Sequence, residues 1–212
     1  AGGPAPVALH TIGVHPPEVL APLRSAGWSV GGWHPLTAVA APRSDAFRGV
    51  TFGLSGDDPA RSRGRLLARA VGGRWIQVGE GENARYHAAA VFASNFLVAC
   101  LSVARRELET ASDASEGLAP LLPLARSALE NLEPGALDSG VTGPVARGDA
   151  GTVLRHLAVL DPAARELYRR LARELLGVVE GRLDPERRRA LRRALDEDDD
   201  GDGGDGEDTA AL

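Results

Sequence analysis

The pattern of apolar residues changes character near residue 82, and that change constrains the fold more than any other feature. Before it, short apolar runs alternate with amphipathic ones. Val7-Ala8-Leu9 predicts a strand, 17–26 a short helix ended by Gly27, and 28–32 and 50–54 two further strands. A helix is expected over 59–71, stopped by Gly72-Gly73, and a last strand over 74–78. Strands alternating with helices point to an α/β layer built on a parallel sheet. With three or four strands, and the first almost at residue one, that layer reads as incomplete. After residue 82 no strand pattern occurs. Helical periodicity covers 84–109, 115–132, 148–160, 162–181 and 185–195. Asp161-Pro162 and Asp184-Pro185 supply helix caps with first-turn prolines. The expected organisation is a partial α/β domain over 1–82, an all-α domain over 83–195, and a disordered Asp/Gly-rich tail over 196–212.

Aromatic residues make up only 4% of the chain, so its cores must be built from Ala, Leu and Val. All 24 basic residues are Arg, a choice that reads as genome composition. The net charge of −5 is unevenly placed, because the stretch 196–208 is densely acidic and carries no base. The remaining body is mildly basic, and nothing in it reads as a nucleic-acid surface. Arg187-Arg188-Arg189 and Arg192-Arg193 alternate with apolar positions and read as a solvated helix face. Cys100 is the single cysteine, so no internal disulfide can form, which predicts an intracellular, cytoplasmic setting. No charged-then-apolar leader opens the chain, and the absence of any Met predicts a processed, trimmed or internal N-terminus.

Several motif matches carry less than they spell. Asp196, Asp198, Asp200, Gly201 and Glu207 fit a calcium-loop pattern. Yet Gly203 stands where such loops place an apolar residue, and no helix pattern follows. A tract of Asp and Gly meets that pattern by composition. Gly79-Glu80-Gly81-Glu82-Asn83-Ala84 has the spacing of a dinucleotide loop, but its two glutamates would repel a pyrophosphate. It reads as a linker. Arg147-Gly148-Asp149 spells an adhesion tripeptide in the wrong compartment, and Gly53-Leu54-Ser55-Gly56 falls short of a nucleophile elbow. No Cys/His cluster has zinc spacing, so no metal site is expected.

The stretch 88–104 carries no charge and approaches membrane-spanning length. Its polar residues argue otherwise. On one continuous helix, His87, Ser94, Asn95 and Ser102 fall within an arc of about 100°. A buried polar stripe needs partners, because each unpaired group costs about 1–3 kcal/mol. The stripe therefore reads as the wall of a polar cleft or as helix–helix hydrogen bonding, and no membrane span is expected.

Two segments go further. Tyr86-His87-Ala88-Ala89-Ala90-Val91-Phe92-Ala93-Ser94-Asn95 and Thr142-Gly143-Pro144-Val145-Ala146-Arg147-Gly148-Asp149 resemble the signatures of a bacterial Rossmann-like family. It is the family carrying domain of unknown function 2520, allied to 6-phosphogluconate and 3-hydroxyacid dehydrogenases. Leu9-His10-Thr11, Trp33-His34-Pro35-Leu36 and Leu129-Glu130-Asn131 fit the same pattern, and Trp33-His34-Pro35 is also similar to the His-Pro element of prephenate dehydrogenases. The resemblance covers about residues 5–180. It implies an incomplete Rossmann-like parallel sheet followed by a helical substrate and dimerisation domain. It also implies an oxidoreductase using NADP or NAD on a small keto or hydroxy acid, a homodimer formed through the helical half, and a cofactor contact at Thr11. Members begin with a strand, a glycine-rich phosphate loop and a helix that have no counterpart here, so the cofactor site is expected to be partly missing.

On this reading His34 follows its strand and reaches the sheet edge, where helix 84–109 offers His87, Ser94 and Asn95. His87 is the expected general acid/base, because an imidazole ordinarily titrates near neutral pH. Asn95 would orient the substrate oxygen, with Ser94 beside it, and Arg147 would pair with a carboxylate. The plainer readings stay open. His34 before Pro35 suits a turn, Asp149 suits a helix cap, and Arg147 suits an ion pair with Asp149 or Glu130. The alternative function is a non-catalytic dimerising or regulatory module derived from such an enzyme.

Overall fold

The structure is a computed structural model, and it describes residues 5–39, 45–132 and 137–196. The chain divides into two compact units, Ala1–Cys100 and Leu101–Leu212.

The first unit is built on four strands, β1 (Val7–His10), β2 (Ser29–Pro35), β3 (Thr51–Gly56) and β4 (Arg74–Gln77), lying side by side in that order. A 3-10 turn (Pro17–Leu20) and helix α1 (Ala21–Ser25) lead from β1 to β2, and helix α2 (Asp58–Ala70) leads from β3 to β4. Both of those strand pairs are parallel. The central pair is antiparallel, with Pro35 opposite Phe52, so the Rossmann-like α/β layer has a mixed sheet rather than the all-parallel one expected. The cause lies in the connection. Parallel neighbours need a crossover, usually helical. The described residues between β2 and β3 form turns and no helix, so the chain doubles back.

Strand β2 also continues through His34 and Pro35, beyond its expected end at Gly32. Packing extends it. The Trp33 ring stacks on Phe52 at 4.2 Å, and its Nε1 donates to the Gly64 carbonyl on α2. Pro35 closes the strand, a position where its missing N–H is tolerated.

Side chains alternate across a sheet, and here the alternation sorts apolar from polar residues. Trp33, Phe52 and Leu54 share the face covered by α2, where Phe52, Leu54 and Ala68 form a fully buried cluster. The register puts His10, Gly32, His34, Gly53 and Ser55 on the opposite face.

Helix α3 (Asn83–Ala93) follows the sheet, and helix α4 (Asn95–Ala111) follows α3. The single helix expected over 84–109 is thus two. Ser94 departs from helical geometry (φ −126°, ψ −69°), and its hydroxyl donates back to the Ala90 carbonyl at 2.7 Å. Such back-bonding bends helices. The predicted arc of His87, Ser94, Asn95 and Ser102 assumed a continuous helix, so it does not describe these residues.

The second unit is helical, with α5 (Leu122–Glu130), α6 (Leu137–Gly140), α7 (Gly143–Arg147), α8 (Ala150–Val159), α9 (Pro162–Val179) and α10 (Pro185–Asp196). Val153, Leu157, Leu176, Val179, Leu191 and Leu195 form its core. Asp161 caps α9 by accepting from the Ala164 N–H at 2.9 Å, with Pro162 in the first turn. Helices α6 and α7 were not expected, being only four and five residues long beside glycine and proline. Except for Asp196, which ends α10, the acidic tail and its calcium-like pattern lie outside the described residues.

Candidate functional site

The α2-free face of the sheet carries an unusual set of residues, two histidines interleaved with glycines and a serine. Glycine at position 53 has a specific reason. Helix α3 lays Tyr86 across the sheet there, and a Cβ on Gly53 would overlap the phenol oxygen.

Tyr86 is held by that approach. Its Oη lies 2.9 Å from Nδ1 of His34 and 3.4 Å from the His34 carbonyl oxygen. Burial pushes its pKa up to about 12, against the smaller downward pull of the Gly53 backbone N–H on the phenol oxygen. Tyr86 is therefore a neutral hydroxyl at any physiological pH.

His34 sits within β2, not after it as the sequence suggested. Its ring lies 5.9 Å from the ring of His87 at an interplanar angle of 62°. Gly13, in the loop after β1, fits against both, and a Cβ there would come within 2.8 Å of each ring. Burial holds the His34 imidazole below the usual histidine range, and the nearby His87 and His10 act in the same direction. His10 is likewise lowered, chiefly by burial. Its Nδ1 accepts from the Ile12 N–H at 3.3 Å, while Nε2 is buried without a hydrogen-bond partner.

His34, Tyr86, His87, Ser94 and Asn95 all line one half-open cavity of about 810 Å³, lined elsewhere by residues 35–39, Ile76, Val91 and alanines of α3. Four of the expected site residues, His34, His87, Ser94 and Asn95, thus share one cavity in the first unit. Ser94 Oγ lies 3.0 Å from Asn95 Oδ1, so the helix break points both polar groups at the same place. The walls are mostly apolar, and among the described residues no arginine or carboxylate lines them. Such a cavity can hold a small molecule with an apolar body and present imidazole, hydroxyl and amide groups to its polar end.

Thr11 is exposed in the loop after β1 and does not line this cavity. Arg147 is exposed at the end of α7 in the second unit, and its guanidinium makes no ion pair among the described residues. Asp149 is the helix cap that the plainer reading expected, accepting from the Thr152 N–H at 2.9 Å. The Thr152 hydroxyl and N–H hold its carboxyl below the usual range. Sequence reasoning gave no role to Tyr86, Gly13 or His10. Tyr86 lay inside a quoted signature, but only the strand register reveals that it reaches His34.

The described residues do not fit a dinucleotide diphosphate. Such a group needs a glycine-rich turn leading amides of a helix N-terminus toward it. The turn after β4 brings Glu80 and Glu82, and the one after β1 leads into a short 3-10 turn with Gly13 already packed on two histidines.

A family model described as "Domain of unknown function (DUF2520)" matches residues 50–175. No curated protein matches the chain. Among solved structures, protein TM1727 from Thermotoga maritima superposes with a TM-score of 0.70 at 23% identity, covering 83% of this chain and 70% of that one. A Bacteroides fragilis protein named "putative NADP oxidoreductase BF3122" superposes with a TM-score of 0.65 at 22% identity, covering 81% of this chain and 65% of that one. These likenesses establish a shared Rossmann-like fold.

Proposed function

The chain belongs to the DUF2520 family, and we propose that its histidine-lined cavity handles the reacting oxygen of a small keto or hydroxy acid in a nicotinamide-linked oxidoreductase. The observation that carries this reading is the convergence of His34, His87, Ser94 and Asn95 on one cavity. The name of the Bacteroides relative supports the reaction class, with NADP or NAD as the nicotinamide. Because the described residues do not cradle a diphosphate, no step is derived through the cofactor, and Thr11 remains a proposed contact only.

His87 makes no hydrogen bond to the described residues, so both ring nitrogens are available to give or take a proton. Asn95 and Ser94 orient the substrate oxygen from the helix break. Arg147, on the second unit, is kept as a proposed carboxylate partner because its guanidinium makes no ion pair among the described residues. Cytoplasmic conditions would keep Cys100 reduced.

Thermal unfolding with millimolar 2-oxo and 2-hydroxy acids tests the reading. At about ten times the dissociation constant, a bound acid raises the midpoint by a few degrees, and His87→Ala or Asn95→Ala removes most of that shift. If no acid of three to six carbons moves the midpoint of the folded wild-type chain, the reading fails.

One observation favours a second reading, the non-catalytic dimerising module. The stretch Asn83–Ala111 is long and apolar enough to cross a membrane, and none of its most apolar window is buried. Phe92, Phe96 and Val98 are 69%, 47% and 64% exposed. Tyr86, near the start of the stretch, is hydrogen-bonded to the sheet, which favours cover by protein over lipid. A second copy of the chain is the proposed cover, and the homodimer is compatible with either reading. No nucleic-acid partner is proposed.

A further inference from the structure

The geometry points to Tyr86 as a positioning residue that fixes His34 in its Nε2–H tautomer, so that the cavity is offered a neutral N–H donor. The phenol has a single proton to give. A phenol is a stronger donor than a neutral imidazole N–H, and an imidazole nitrogen is a stronger acceptor than a phenol oxygen, so the stronger form of the 2.9 Å contact has the phenol donating. The phenol proton then goes to the better of two acceptors, Nδ1 of His34 at 2.9 Å or the His34 carbonyl at 3.4 Å. Were Nδ1 protonated instead, the phenol oxygen would accept from the ring and its proton would be left with the longer, weaker contact to the carbonyl. A neutral imidazole carries one N–H, so an accepting Nδ1 places it on Nε2.

Two further features hold the arrangement. Gly13 packs against the Cε1–Nδ1 edge of the ring, where a Cβ would lie 2.8 and 2.9 Å from those atoms, and so limits access of water to that edge. The titratable groups facing His34 are His10 from β1 and Tyr86 and His87 from α3. None is a carboxylate, so nothing there stabilises a doubly protonated ring. Nε2 makes no hydrogen bond to the described residues, and His34 lines the cavity. The use of that N–H toward a substrate oxygen rests on the proposed function, whereas the tautomer does not.

Long-range proton–nitrogen correlation spectra of the 15N-labelled chain near pH 8 test the assignment, with the His34 ring identified by its loss in His34→Gln. The expected spectrum shows a pyridine-like Nδ1 and a pyrrole-like Nε2. In Tyr86→Phe the preference falls by roughly tenfold, the equilibrium worth of one ordinary hydrogen bond, and the two tautomers mix. A pyrrole-like Nδ1 in the wild type overturns the proposal, as does an unchanged preference in Tyr86→Phe. If that variant fails to fold, the wild-type spectrum still decides. A chain with the expected tautomer that binds no 2-oxo acid would sink the proposed function and leave this assignment standing.

Discussion

Tyr86 on helix α3 and His34 on strand β2, 52 positions apart, meet with the phenol oxygen 2.9 Å from the imidazole Nδ1. This contact ties helix α3, which carries His87 and leads into the break at Ser94 and Asn95, to the sheet. It exists because Gly53, opposite His34 in the antiparallel register, leaves room for the phenol.

Gly53→Ala should therefore break the contact from the other side. The new methyl overlaps the phenol oxygen, and overpacking of this kind costs about 1–3 kcal/mol. Denaturant unfolding is expected to show that loss in the wild-type background and a smaller one beside Tyr86→Ala, since the clashing ring and its oxygen are then absent. Equal losses in both backgrounds would mean that the methyl clashes with something else.

The lowered pKa values of His10 and His34 set a direction for acid stability. Both fall below the ordinary value of 6.5 in the fold. Above that value the rings are neutral in folded and unfolded chains alike, and the contribution is fully present. As pH falls through 6.5 toward the folded values, the unfolded chain takes up protons first and stability is lost. The melting midpoint should decline between about pH 7 and pH 5. Asp57, lowered by the Val30 backbone N–H and by Arg24, adds a separate loss only below its ordinary value of 3.8. His34→Gln should flatten the upper slope, and an unchanged slope would contradict the assignment.

Asp161 caps the longest helix of the second unit. Asp161→Ala leaves the Ala164 N–H without its acceptor and is expected to cost about 1 kcal/mol. Asp161→Asn should recover most of it in equilibrium unfolding, because the amide oxygen accepts the same bond.

Phe96→Glu places a charge on the proposed dimer face, beside Phe92, whose ring lies 4.9 Å away. Light scattering on the purified chain should give a dimer for the wild type and a monomer for the variant, with little change in helix content. A monomeric wild type would remove the second copy as the cover of this face.

Much of the fold was legible from sequence because its signals are local. Gly27, Gly72-Gly73 and the Asp-Pro pairs mark element ends that the structure keeps within a residue or two. The antiparallel β2–β3 pair was not legible, since the strand patterns of 28–32 and 50–54 carry no direction. The absence of a helix between them was the available clue. The break at Ser94 was hidden because serine is compatible with a helix and only its bond to Ala90 bends it. His87 and Asn95 could be named as candidates from their types and setting. Tyr86, Gly13 and His10 could not, because their roles depend on which residues the register brings opposite one another.

The most direct test of the account is the response of the His34 and His87 imidazole resonances to a titrated 2-oxo acid such as 2-oxobutanoate. Both rings are expected to shift saturably at one common dissociation constant, weakened by Asn95→Ala. A folded chain in which millimolar 2-oxo acids leave both rings unmoved would contradict it.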